Sequence, residues 1–220
     1  MTAATRPPVV EPLSPATGQL VFRAVLGALA RPGIVCRLPN AAAGPGTAAL
    51  SARLPAALLP VLALADLTTP VCVLADGDGW DEVVRVATGA PSAGLPAARL
   101  VSVLRPLAPG ELAVLRTGTV AVPEDGALAC LAVQELAAAV RGPGPAAGAA
   151  RPQRFRLAGP GIPGTRDLLV TGLPGDFAAS RGALADSFPA GADLLLVTPG
   201  GEVAGLPRTT RTTLVTEEID

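Results

Sequence analysis

The sequence predicts an α/β fold: one domain over residues 14–220, a mixed sheet flanked by helices. Three observations predict it. Apolar runs at residues 71–75, 100–104, 128–133 and 193–198 are the right length for buried strands. Segments with helical start and stop signals alternate with these runs, the order of an α/β chain. The chain has 220 residues, half of them hydrophobic, enough to bury a core without disulfides or a metal.

Residues 1–13 are rich in proline and read as a flexible segment ahead of the domain. Ser14 or Thr17 caps a helix that runs to about Ala30, with Phe22, Val25, Leu26 and Leu29 on one face. Pro32-Gly33 stops it. Residues 34–38 read as a short strand and 40–48 as a loop. Residues 55–67 read as helical, and 71–75 as a strand. Asp76-Gly77-Asp78-Gly79 turns the chain into a helical turn or two over 80–86. After the strand at 100–104, Pro109 suits the first turn of a short helix. The strand at 128–133 leads to residues 141–152, rich in Gly, Pro and Ala, a hairpin or crossover loop. Arg154-Phe155-Arg156-Leu157 alternates at period two, as a half-buried strand does. Residues 168–173 are a short apolar segment and 177–186 a helix. After the strand at 193–198, residues 203–206 and 209–215 close the sheet.

Composition removes whole classes of chemistry. All 17 basic residues are Arg, 18 residues are acidic, and there is no His and no Tyr. Without His there is no Ser-His-Asp triad, no Cys-His pair and no imidazole metal ligand. Without Lys there is no Walker lysine and no Schiff base with pyridoxal phosphate. A net charge of −1 argues against a nucleic-acid partner. Cys36, Cys72 and Cys130 are scattered in apolar runs and read as buried, reduced thiols of a cytoplasmic protein. The N-terminus lacks the pattern of a signal peptide. The most apolar stretch, residues 54–65, is too short to span a bilayer. No cofactor, metal or membrane association is expected.

Few motifs carry chemistry. Gly159-Pro160-Gly161-Ile162-Pro163-Gly164 matches GxGxxG, but Pro160 and Pro163 remove N–H donors a pyrophosphate would need, so it reads as a turn. Asp76, Asp78, Asp81 and Glu82 lack the spacing of a calcium loop and read as a solvated turn and helix start. Glu124-Asp125 sits in a tight turn, either solvent-facing or ordering a ligand hydroxyl or a partner arginine. Pro207-Arg208-Thr209-Thr210-Arg211-Thr212-Thr213 is either an edge strand with a polar face or an anion or partner contact through Arg208 and Arg211. Arg23, beside Phe22 in an apolar helix, lies on the solvated side or, if turned inward, must be paired.

An ordered series of short motifs resembles the H subunit of the bacterial carbon–phosphorus lyase system, the PhnH family. It begins with Phe22-Arg23, Arg31-Pro32-Gly33, Leu64-Ala65-Asp66, Thr69-Pro70-Val71 and Thr88-Gly89-Ala90-Pro91. It continues with Thr117-Gly118-Thr119, Pro123-Glu124-Asp125-Gly126-Ala127 and Gly159-Pro160-Gly161-Ile162. It ends with Phe188-Pro189-Ala190-Gly191-Ala192-Asp193-Leu194 and Leu206-Pro207-Arg208-Thr209-Thr210. The stretch before Phe188, from Arg181 to Ser187, departs from the family's pattern.

The resemblance implies a fold similar to the pyridoxal-phosphate-dependent transferases but without that cofactor. It implies a homodimer that joins sister subunits G, I and J of a phosphonate-degrading core complex. In that system a phosphonate displaces adenine from the ribose of ATP, leaving a ribose 1-phosphonate 5-triphosphate. The H subunit is required there but has no established catalytic residue, and none is assigned here. Candidate contacts to a ligand or partner are Arg208, Thr209, Thr210, Glu124, Asp193 and Arg23. The competing expectation is a stand-alone homodimer that binds a nucleotide or phosphonate, such as ATP, in a cleft between protomers.

Overall fold

Parallel strands form the centre of the larger of two sheets. The computed structural model describes residues 12–39, 54–77, 79–138 and 151–216. Residues 1–11 of the flexible segment, the loop at 40–48, residues 141–150 and Asp78 lie outside them. Among the described residues, the strands in chain order are β1 Cys36–Arg37, β2 Val71–Leu74, β3 Leu100–Val103, β4 Leu128–Ala132 and β5 Glu135–Ala138. They continue with β6 Gln153–Ala158, β7 Arg166–Thr171, β8 Asp193–Val197, β9 Glu202–Leu206 and β10 Arg211–Leu214. The helices are α1 Pro15–Ala30, α2 Leu59–Leu64, α3 Trp80–Thr88 and α4 Phe177–Ala185.

The large sheet runs β1-β9-β8-β4-β3-β2. Strands β2, β3, β4 and β8 are parallel, and β9 and β1 add antiparallel at one side. The sheet is therefore mixed, as expected. Its two faces carry two hydrophobic clusters. On one face Val21, Val25 and Ala28 of α1, Leu62 of α2 and Val83 and Val84 of α3 pack on Leu195, Val197 and Cys130. On the other, Leu194 and Leu196 meet Phe155, Leu157, Leu168 and Val170 of the small sheet and Phe177 and Leu184 of α4. The alternation of neighbours in β8 between the two clusters is the period-two rule. Buried on both faces, these strands read as unbroken apolar runs.

Local signals set the helices. Ser14 caps α1, its hydroxyl accepting from the Thr17 N–H at 3.2 Å, and Pro15 follows at the first helical position. The buried stripe of α1 is Val21, Val25 and Ala28, while Phe22 and Leu26 are exposed. The face expected from Phe22, Val25, Leu26 and Leu29 is thus rotated. The cause is the close approach of α1 to β9: a Cβ on Gly205 would stand 2.5 Å from the Ala28 carbonyl oxygen. Residues 55–67 divide into a 3-10 turn, Ala56–Leu58, and α2. The helix ends at Leu64 because Asp66 folds back, accepting from the Thr68 N–H and both threonine hydroxyls at 2.7–2.9 Å. Those bonds, the Thr69 hydroxyl first, hold its carboxyl below the ordinary aspartate range. The short helix after residue 109 is a 3-10 turn, Glu111–Val114, preceded by Gly110 at φ +81° rather than begun by Pro109.

Residues 203–206 join the large sheet as expected, but residues 209–215 do not. Strand β10 instead pairs with β6 in a second, antiparallel sheet ordered β10-β6-β7-β5. The apolar segment at 168–173 supplies most of β7. Cys72 and Cys130 are buried, and burial pushes the Cys130 thiol up to about 12. Cys36 is half-buried.

Candidate functional site

Most of the singled-out motifs converge on one edge of the large sheet, at the amino ends of β2, β3, β4 and β8. Backbone hydrogen bonds stitch that edge into a row. The Val71 N–H donates to the Pro91 carbonyl at 2.9 Å, and Arg99 N–H to the Pro70 carbonyl at 2.8 Å. Leu128 donates to the Arg99 carbonyl, and Asp193 to the Ala127 carbonyl, both at 2.9 Å. Gly191 donates to the Thr117 carbonyl at 2.7 Å.

Arg208 closes the row. Its backbone N–H donates to Asp193 Oδ1 at 2.7 Å, and its Nη2 to Asp193 Oδ2 at 2.7 Å. Its Nη1 donates to the Pro123 carbonyl. The pair is largely sheltered, with side-chain exposures of 15 % and 23 %. Both neighbouring glycines are required. A Cβ on Gly126 would stand 2.1 Å from the Gly191 carbonyl oxygen and 3.1 Å from the Arg208 guanidinium. Gly191 has φ +143°, a conformation side chains avoid.

Arg181 lies beneath. It comes from α4 and is fully buried. Its guanidinium donates to the carbonyls of Ala192 and Leu206 at 3.1 Å, and to that of Pro207. Burial pushes it down to about 10, partly opposed by the nearby Asp193 charge, so it stays protonated at neutral pH. A lone arginine in a short alanine-rich helix gave no signal of this role.

The structure brings Arg208, Asp193, Thr209, Thr210 and Glu124 to this edge. Thr210 is fully buried, with its N–H on the Pro207 carbonyl at 2.8 Å and its hydroxyl unpartnered. The Thr209 carbonyl faces Gly159, where a Cβ would stand 2.7 Å away. Glu124 is exposed, and its backbone carbonyl accepts from Arg99 Nη2 at 2.8 Å. Its neighbour Asp125 pairs with Arg116 at 2.8 Å. Arg23 stands exposed on α1, on the solvated side, outside this set of contacts.

The chemistry of the edge is mostly self-contained. Arg208 and Arg181 donate to protein acceptors, and Asp193 accepts from Arg208 through both oxygens. In parallel sheets, ligands ordinarily bind at the carboxyl ends of the strands, the opposite edge from this one. The Gly159–Gly164 segment is a turn under α1: a Cβ on Gly161 would stand 2.5 Å from the Ala30 carbonyl oxygen. Among the described residues no group of His, Cys, Asp or Glu side chains is placed to hold a metal ion. No described helix is long and apolar enough to cross a membrane.

Residues 13–213 match the family described as bacterial phosphonate metabolism protein (PhnH). A protein of Stutzerimonas stutzeri named "Putative C-P lyase subunit protein HtxG" is 34% identical over 202 residues, covering 89% of this chain and 86% of that protein. The motifs gathered at the amino edge fall inside the matched region, from Asp66 to Thr210, and on this ground the chain belongs to the PhnH family of bacterial phosphonate metabolism proteins.

Proposed function

We propose that the chain is an accessory, non-catalytic subunit of a phosphonate-degrading carbon–phosphorus lyase complex. It is needed there for transfer of the ribose 5-triphosphate group of ATP to a phosphonate, with release of adenine. Family membership and the relative's name as a subunit support the phosphonate setting. The observation that carries the accessory role is the amino edge. The contacts of Arg208 and Asp193, and three from the Arg181 guanidinium, are made within the fold, so these side chains order backbone, and the exposed Glu124 carboxylate is the one acid of the candidate set left free among the described residues. Displacement of adenine needs acid assistance and a stabilised ribosyl cation, which this reading assigns to other subunits. The same reading takes the chain to be a cytoplasmic homodimer joined to sister subunits G, I and J, with a fold similar to pyridoxal-phosphate-dependent transferases.

The test is reconstitution. Purified subunits are mixed with ATP and methylphosphonate, and free adenine is measured with and without this chain. Adenine release is expected from the full mixture, at least tenfold less when this chain is omitted, and none from the chain alone. Release by the isolated chain would make it catalytic and overturn the proposal, as would full release without it. Binding of ATP by the isolated chain, lost in Arg208→Ala, would favour the inter-protomer cleft instead.

A further inference from the structure

The small sheet buries one face and opens the other. Register places Arg154, Arg156 and Ala158 of β6 on the open face with Arg211 and Thr213 of β10, and with Asp167 and Leu169 of β7. Phe155 and Leu157, the alternate residues of β6, point into the core. Asp167 lines the two β6 arginines up side by side. Arg154 donates to its Oδ2 through Nε and Nη2 at 2.9 and 2.6 Å, and Arg156 donates to its Oδ1 through Nε at 3.0 Å. Hydrogen bonds from Arg156 and then Arg154 hold the Asp167 carboxyl below the ordinary range, so it stays ionised.

One carboxylate shared by two arginines leaves positive charge over. Arg211 adds to it: its strand partner is Ala158, which puts it diagonal to Arg156, and it is exposed. Among the described residues Arg211 makes no ion pair, and the Nη1 groups of Arg154 and Arg156 have no acceptor. Glu135, the other acid of this face among the described residues, stands on β5 at the opposite edge of the sheet. Like charges this close on one sheet face repel one another. Among the described residues, then, no further anion offsets the charge left over on this face.

The shape of the face decides which kind. Small-molecule sites are concave, and this is an open pleated surface floored by Ala158, Leu169 and Thr213. Arginine is among the residues that protein interfaces enrich. Guanidinium groups with free edges pair with carboxylates through two parallel bonds. A long polyanion is disfavoured, because the chain as a whole carries −1.

We propose that this arginine face of the small sheet is a docking surface for an acidic protein face belonging to another subunit of the phosphonate-degrading complex. The proposal rests on the accessory-subunit reading above. The test co-expresses the tagged chain with the other complex subunits of the same source. Each recovered subunit is quantified by mass spectrometry over a range of salt concentrations. Wild-type recovery should fall as salt rises. Arg154→Glu/Arg156→Glu/Arg211→Glu should lose at least one partner about tenfold or more, whereas Arg37→Glu/Arg85→Glu, a reversal elsewhere on the surface, should lose none. If the triple reversal melts early, Arg154→Gln/Arg156→Gln/Arg211→Gln takes its place, with the same loss expected. A folded variant that recovers every partner at wild-type levels overturns the arginine face and leaves the subunit reading standing. A wild-type chain that recovers no other subunit overturns both.

Discussion

Arg181 is fully buried yet has no carboxylate within ion-pairing distance among the described residues. Three backbone carbonyls, those of Ala192, Leu206 and Pro207, accept from it instead. Burying a guanidinium is costly, and the charge is retained only because these bonds compensate. Its removal would take a donor from each of these carbonyls, at roughly 1–3 kcal/mol for each one left buried without a partner, although the Pro207 carbonyl keeps the Thr210 N–H. Arg181→Ala should therefore destabilise the fold by about 3–5 kcal/mol, read from the urea midpoint at unchanged slope. A loss under about 1 kcal/mol would mean the edge is held without it. Sequence could not reveal this role. Arg208 and Asp193 stand in recognisable strings, but Arg181 acts on backbone, and backbone acceptors leave no trace in a string of residue types.

Glycines separate intrinsic preference from packing at the level of the element. Gly205 in β9 lets α1 come close, whereas a Cβ on Gly182 in α4 would meet nothing within 4 Å. Gly182→Ala should thus stabilise by roughly 0.5–1 kcal/mol through helix preference. Gly205→Ala should destabilise by about 1–3 kcal/mol as α1 is pushed off the sheet. Thermal melts of the two variants, moving in opposite directions, check both. The same contact explains what was legible in α1. Its start and end could be read from Ser14 or Thr17 and from Pro32-Gly33, because those signals are local, and of the two caps the structure uses Ser14. Its inner face could not be read, because apolar residues lie on several sides of the helix and its packing against β9, β8 and α2 together selects Val21, Val25 and Ala28. Strand β5 went unread for a related reason. Glu135-Leu136-Ala137-Ala138 favours helix, and it is a strand only because β7 pairs with it.

For the molecule as a whole, the parallel strands were legible because burial on both faces makes them uniformly apolar. The division into two sheets was not. Strands β9 and β10 are separated by a few residues, and nothing in their composition says that the second leaves the large sheet for β6. Pro207 to Thr210 make that crossing, and Arg208 pins it to Pro123, a residue 85 positions earlier. A contact between such distant parts of the chain must wait until the intervening strands are in place. Contacts formed late do little for the speed of folding and instead slow the reverse step. The edge is therefore a timekeeper: it governs how long a folded molecule survives, and scarcely how fast one arises. Arg208→Lys should raise the unfolding rate in urea about tenfold while leaving the refolding arm nearly unmoved. An equal slowing of refolding would show that the crossing is made early.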